Sequence, residues 1–128
     1  MYAELYSVVD DLPASLLATS DAIALSTLSS SAYALVTFSF TGANRVLLSA
    51  STNYFIVFKF AGGGPSIYAL IGVDQTSPSH DGFYAYSYDG AAWESGTDLD
   101  CIFYVYGELI NVGEDPSMTR GNFLIMFS

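Results

Sequence analysis

Apolar and polar positions alternate with a period of two along most of the chain, the spacing of half-buried strands rather than of helices. In "YAELYSVV" (2–9), Tyr2, Glu4, Tyr6 and Val8 fall on one face and Ala3, Leu5, Ser7 and Val9 on the other; "DDLP" then breaks the run, so a strand and a turn are expected. "SLLATSDAIALSTLSSS" (15–31) places Thr, Ser and Asp at short intervals, which favours a brief strand around Ala18 to Leu25 and a serine-rich loop over a helical turn. "YALVTFSF" (33–40) reads as a strand whose alternation slips at Leu35 and Val36, so both faces are expected to be covered there. "NYFIVFKF" (53–60) is apolar at nearly every position, as a central strand between two layers is, and the glycines and proline of "AGGGP" (61–65) end it.

Three further strands are expected in "SIYALIGVD" (66–74), "GFYAYSYD" (82–89) and "LDCIFYVYG" (99–107). Between the last two, Asp89-Gly90 is a hairpin-turn signal. No segment keeps apolar residues at helical spacing over three turns. The expected class is therefore all-β, with about seven or eight short strands arranged as an antiparallel, jelly-roll-like β-sandwich.

Composition narrows the picture. A chain of 128 residues is long enough for one domain with a two-layer core, and 52% hydrophobic residues with 16% aromatics exclude a disordered chain. Against 13 acidic residues stand only Arg45, Lys59 and Arg120, giving a net charge of −10. Phosphate backbones and anionic headgroups would be repelled, so neither nucleic acid nor membrane is expected as a partner. Cys101 is the single cysteine, so no intrachain disulfide forms; with no cation near it in sequence, it is expected to be a small buried apolar residue. No basic leader followed by an apolar stretch begins at Met1, and no apolar run reaches the ~20 residues of a membrane helix.

Candidate chemistry is sparse. His80, in the loop "TSPSHDG", is the only histidine, and no partner motif accompanies it. Asp98 and Asp100 are the spacing of two carboxylates on one strand face, without the cleft that glycoside hydrolysis needs. Phosphate-loop, dinucleotide and zinc-ligand patterns are absent, so no enzyme activity and no cofactor are expected. Calcium is the one candidate ion: nine of the 13 acidic residues lie between positions 74 and 115, and Asp74, Asp81, Asp98 and Asp100 are the candidate ligands. The competing reading is that these aspartates make Asx-turns and keep the surface hydrated.

"FYAYSYDGAAWES" (83–95) is the candidate ligand site. Tyr84, Tyr86 and Tyr88 share one strand face, about 7 Å apart, and Trp93 follows the turn. As a glycan platform, these rings would stack on sugars while Asp89 and Glu94 hydrogen-bond hydroxyls. As structure, they would form part of the core or an inter-subunit contact, where Tyr and Trp are enriched. Small residues fill the alternate positions, which favours the tyrosine face as the inner one.

Taken in order, "AELYSVVDDLPASLLATSD", "SSSAYALVTFSF", "LSASTNYFIVFKFAGG", "GVDQTSPSHDGFYAYSYDGAAWES" and "DLDCIFYVYG" resemble the choice-of-anchor R type β-sandwich, over residues 2–107. The "TNYFIVF" strand and the "YSYDGAAW" hairpin carry the most specific part of that likeness. The resemblance implies a display or attachment module of the kind found in prokaryotic surface proteins and in phage tail, fibre and other virion proteins, with no catalytic residues to carry over. Compared with that pattern, the chain lacks leading strands before "AELYS" and adds "ELINVGEDPSMTRGNFLIMFS" after "YVYG". Residues 1–107 are thus expected to form the sandwich and 108–128 an extension whose strand, carrying Phe123, Leu124, Ile125, Met126 and Phe127, completes its own edge or a neighbour's. The functional expectation is a non-enzymatic structural subunit of an extracellular assembly, a virion component such as a capsid decoration, head fibre or tail protein. It would be homo-oligomeric or bound to other virion proteins, and located in the virion or outside the cell. The alternative is a carbohydrate-binding module that recognises a cell-surface glycan.

Overall fold

The computed structural model describes residues 1–60, 70–74, 84–87, 92–96, 100–101 and 105–107. Regular structure among them is antiparallel strand, with two single 3₁₀ turns at Leu25–Thr27 and Gly42–Asn44 and no α-helix. The chain divides into two units, Met1–Leu70 and Ile71–Ser128.

The first unit is built on a hairpin. Strand β1 (Tyr2–Val9) turns through Asp10 and Asp11 into β2 (Leu12–Thr19), with Val9 opposite Leu12. Both aspartates have positive φ, 50° and 59°, as a two-residue type I′ turn requires. Asp tolerates this region better than most residues because its short polar side chain bonds locally. Register then shifts twice, between Leu5 and Tyr6 and between Tyr6 and Val8, each time with one extra residue on β2. Where Ser7 faces the second irregularity, its Oγ accepts the Ser15 N–H at 3.1 Å, satisfying a donor that the broken ladder releases.

Strand β3 (Tyr54–Lys59) pairs with the other edge of β1, without irregularity, from Tyr2 opposite Lys59 to Ser7 opposite Tyr54. The order is β2-β1-β3, so β1 is the central strand. Ala3, Leu5 and Ala18 are buried on one face, where Ile56 and Phe58 join them. Glu4 and Val57, cross-strand neighbours on the other face, are buried as well. Above the first face Phe38 meets Phe58 with ring centroids 5.4 Å apart and planes tilted by 44°, a favourable aromatic geometry.

The end of the hairpin is closed by side chains. Ser20 donates its N–H to the Ala3 carbonyl at 2.8 Å, while its buried Oγ accepts the Ala3 N–H at 2.9 Å and donates to the Asp21 carbonyl at 3.0 Å. Met1 and Ile23 exchange a further pair of backbone bonds. Residues 39–44 lie along β2: the Asp21 N–H donates to the Ser39 carbonyl, Thr41 Oγ1 to Asp21 Oδ1, and the Thr19 N–H to Asn44 Oδ1. That cover over the β2 edge follows the 3₁₀ turn that starts at Gly42, whose φ of +55° suits glycine.

In the second unit, β4 (Val73–Asp74) pairs with β7 (Asp100–Cys101), and β5 (Tyr84–Tyr86) with β6 (Glu94–Gly96), all antiparallel.

These elements correct several expectations. The second strand starts at Leu12, inside the segment expected to break the run, because a two-residue turn needs only Asp10 and Asp11; it ends at Thr19 rather than near Leu25. Residues 33–40 form no strand, since a strand needs a partner and the Ser39 carbonyl is the backbone group of that segment bound to Asp21. Among the described residues β1, with its clean alternation, lies between β2 and β3, so the largely apolar β3 flanks it. Tyr84–Tyr86 pairs with Glu94–Gly96, while Asp100–Cys101 goes to Val73–Asp74. Cys101 is half-buried rather than a fully enclosed core residue.

The turn makes a direct test of this geometry. Asp11→Gly is expected to raise the unfolding free energy by about 0.5–1 kcal/mol, by removing the cost of a left-handed L-residue. Asp11→Val should lower it by about 1–2 kcal/mol. Denaturant titration reads both, and a valine variant with the wild-type midpoint would contradict the turn.

Candidate functional site

The aromatic hairpin comes together in part. Tyr86 stands directly opposite Glu94, and its hydroxyl donates to Glu94 Oε2 at 2.6 Å. This short charge-assisted bond fixes the pair on one face of the ribbon. Tyr84 lies two residues back on β5, and Gly96 opposite it adds no side chain there. Trp93 is half-buried and directly precedes β6. Tyr88 and Asp89 lie outside the described residues.

The acidic set is also partly assembled. The β4–β7 register sets Asp74 opposite Asp100, while Asp81 and Asp98 lie outside the described residues. Among the described residues, no group of three or more His, Cys, Asp or Glu side chains is placed to hold a metal ion. The terminal residues Phe123, Leu124, Ile125, Met126 and Phe127 lie outside the described residues.

Sequence reasoning missed a third cluster, on the sheet of the first unit. Glu4 is buried at the centre of β1, and Lys59 reaches it diagonally from β3: Lys59 stands opposite Tyr2, two positions from Val57, which faces Glu4. Lys59 Nζ lies 2.6 Å from Glu4 Oε2, with the lysine side chain 37% exposed and the glutamate side chain 8%. Tyr6, on the same face, donates its hydroxyl to Glu4 Oε2 at 2.8 Å and accepts from Lys59 Nζ at 3.3 Å; its ring centroid is 5.7 Å from Nζ. The hydrogen bond to Glu4 holds the Lys59 pKa above its usual 10.5, with Tyr6 adding to the effect and partial burial opposing it. A lysine held protonated is neither a nucleophile nor a base near neutral pH, so the cluster neutralises a buried charge rather than carrying out chemistry. The signal in the sequence was the chain's only lysine, placed inside the apolar run "NYFIVFKF".

Compared with protein-family models, with curated proteins and with solved structures, the chain matches none.

Two outcomes follow from these clusters. Lys59→Met is expected to destabilise the fold by about 1–3 kcal/mol, because it leaves the buried Glu4 carboxylate short of its charged partner. Since the Lys59 pKa is raised in the folded state, its contribution is fully present below the unfolded value and is lost as pH climbs past the folded one. The gap between wild type and Lys59→Met should thus hold from neutral pH to about 10 and close above it; a constant gap up to strongly alkaline pH would contradict the ion pair. For the acidic residues, a chelator is expected to leave the wild-type unfolding midpoint unchanged; a midpoint that falls with chelator and is restored by calcium but not by magnesium would instead establish a cation site.

Proposed function

We propose that this chain is a non-enzymatic structural subunit of an extracellular assembly, a virion component such as a capsid decoration, head fibre or tail protein, built on a jelly-roll-like sandwich. One observation carries the reading: large apolar side chains remain on the surface while the core of the described residues is small. Ala3, Leu5, Ala18 and Val57 form that core, yet Val9, Leu16, Tyr33, Leu35, Leu47, Leu70 and Tyr106 are exposed. Surfaces of this kind are characteristic of subunits that bury them against other chains. The paired edges and the two covered faces of β1 fit a layered β domain, and the likeness to choice-of-anchor R domains supports a role in display or attachment. The net charge of −10 favours protein partners over nucleic acid or membrane.

A glycan-binding module is the second reading, favoured by the exposed Tyr86–Glu94 pair. Light scattering on the purified full chain separates the two. A defined oligomer is expected from the chain alone, and deletion of residues 121–128 is expected to yield dissociated or insoluble protein through loss of an added strand. A monomer whose Trp93 fluorescence responds to one sugar of a glycan panel would overturn the assembly reading in favour of the alternative.

A further inference from the structure

We propose that the Arg45–Val46 peptide bond is a processing site for an endopeptidase that selects a basic side chain, and that the cut protein stays together as two chains. The proposal is independent of the assembly reading above.

Candidate bonds are few. An endopeptidase of this class holds the side chain before the scissile bond against a carboxylate in its own pocket, so it needs Arg or Lys there. The chain has three, Arg45, Lys59 and Arg120, and Arg120 lies outside the described residues. The structure separates the other two. Lys59 stands in β3 opposite Tyr2, with its Nζ 2.6 Å from Glu4 Oε2. Presenting it to a protease means releasing β3 from β1 and leaving the buried Glu4 carboxylate without its cation.

Arg45 needs no such disruption. Every residue from Thr41 to Leu47 is exposed, and none belongs to a strand. A side-chain carbon placed on Gly42 would meet no other atom within 4 Å, so the approach is open there. To enter a cleft the 3₁₀ turn at Gly42–Asn44 must extend. Its ties are the Asn44 N–H on the Thr41 carbonyl at 3.0 Å, the Arg45 N–H on the Gly42 carbonyl at 3.2 Å, and the Thr19 N–H on Asn44 Oδ1 at 3.1 Å. Water replaces such bonds at small net cost, so the opening is local. Arg45 also has an interaction within the chain, but as an exposed residue it exchanges that contact cheaply.

The flanking residues favour the same bond. No acidic residue occurs between Asp21 and Asp74, so no carboxylate close in sequence competes with the enzyme's own for the guanidinium. Beyond the bond, Val46 and Leu47 are exposed apolar side chains that the far side of a cleft can bury.

The step is a hydrolysis. The enzyme's nucleophile adds to the Arg45 carbonyl carbon, the C–N bond breaks, and Val46 leaves with a proton on its nitrogen; one water then releases Arg45 as a carboxylate. The cut falls in the excursion between β2 and β3, so β1 and β2 remain on one product and β3 on the other. The contacts that cross it are the β1–β3 ladder, the Glu4–Lys59 pair and Phe38 on Phe58. These hold the products together.

The test is limited digestion of the full chain with trypsin, in an Arg120→Gln background, read by intact mass and by size under native conditions. Cleavage at Arg45 is expected to exceed cleavage at Lys59 by at least about a hundredfold, because the first needs a local opening and the second the loss of a paired strand. The products 1–45 and 46–128 should elute together at the size of the uncut chain and separate only in denaturant. Arg45→Gln should remove the cut and Arg45→Lys retain it. A urea series below the unfolding midpoint reads the same distinction without a substitution at Arg45. Normalised to a short peptide substrate, the Arg45 rate should stay within about twofold while the Lys59 rate climbs. A first cut at Lys59, or an Arg45 bond that resists in the folded chain and is cut in the denatured one, overturns the proposal. Products that part under native conditions overturn it as well.

Discussion

A carboxylate buried in the middle of a central strand is the constraint around which the first unit is arranged. Ala3, Glu4 and Leu5 are buried consecutively, and since successive strand residues point to opposite faces, β1 must be covered on both. On one side the cover is apolar, through Ala18, Ile56 and Phe58. On the other it has to include a counter-charge, because an unpaired carboxylate there would cost several kcal/mol. Lys59 and Tyr6 supply it, and Lys59 reaches Glu4 only in the observed pairing of β3 with β1. A slip of one residue would carry Lys59 to the face of Leu5 and leave Glu4 buried without its cation. The ion pair thus acts chiefly on register, and a modest net stability is compatible with that role.

The two edges of β1 are secured differently. Towards β2 the pairing is local: a two-residue turn nucleates it, Ser7 fills the irregularity, and Ser20 closes the end. Towards β3 the chain must first make the excursion from Ser20 to Asn53, and long closures of this kind are entropically costly before their contacts form. The excursion is held at a few points, chiefly Asp21 with Ser39 and Thr41, Thr19 with Asn44, and Phe38 on Phe58. Between those points it forms no ladder, which is why its apolar residues are exposed rather than sorted into the core.

What the sequence revealed follows the same division. Strand β1 and the turn after it were legible because alternation and a local turn signal agreed, and β3 because of its dense apolar run. The strand at Leu12 was hidden by Pro13 and by the two irregularities that break the alternation of β2. Residues 33–40 looked like a strand because side-chain pattern reports which face is apolar but carries no information about whether a backbone partner is in reach. At the candidate ligand site the spacing of Tyr84 and Tyr86 was legible, as was the hairpin itself. Its true partner strand was not, since Glu94–Gly96 is short and made of Glu, Ser and Gly, residues that give no strand signal. The Glu4–Lys59 contact spans the sheet diagonally between residues far apart in sequence, where periodicity says nothing.

Segregation of charge gives the chain a property that neither fold nor composition implies alone. Twelve of the 13 acidic residues lie in the opening hairpin or from Asp74 onward, and Asp21, at the start of the excursion, is the one between them. A sequence selected only for solubility would spread carboxylates over its exposed surface, and would place them first beside residues as exposed as Tyr33, Leu35 and Leu47. Between Asp21 and Asp74 this chain instead combines the exposed Tyr33, Leu35 and Leu47 with two cations, Arg45 and the Lys59 that is bound to Glu4. Within the excursion, Phe38 is held to the sheet through Phe58, whereas Tyr33, Leu35 and Leu47, which no backbone ladder sorts to one face, stay on the surface.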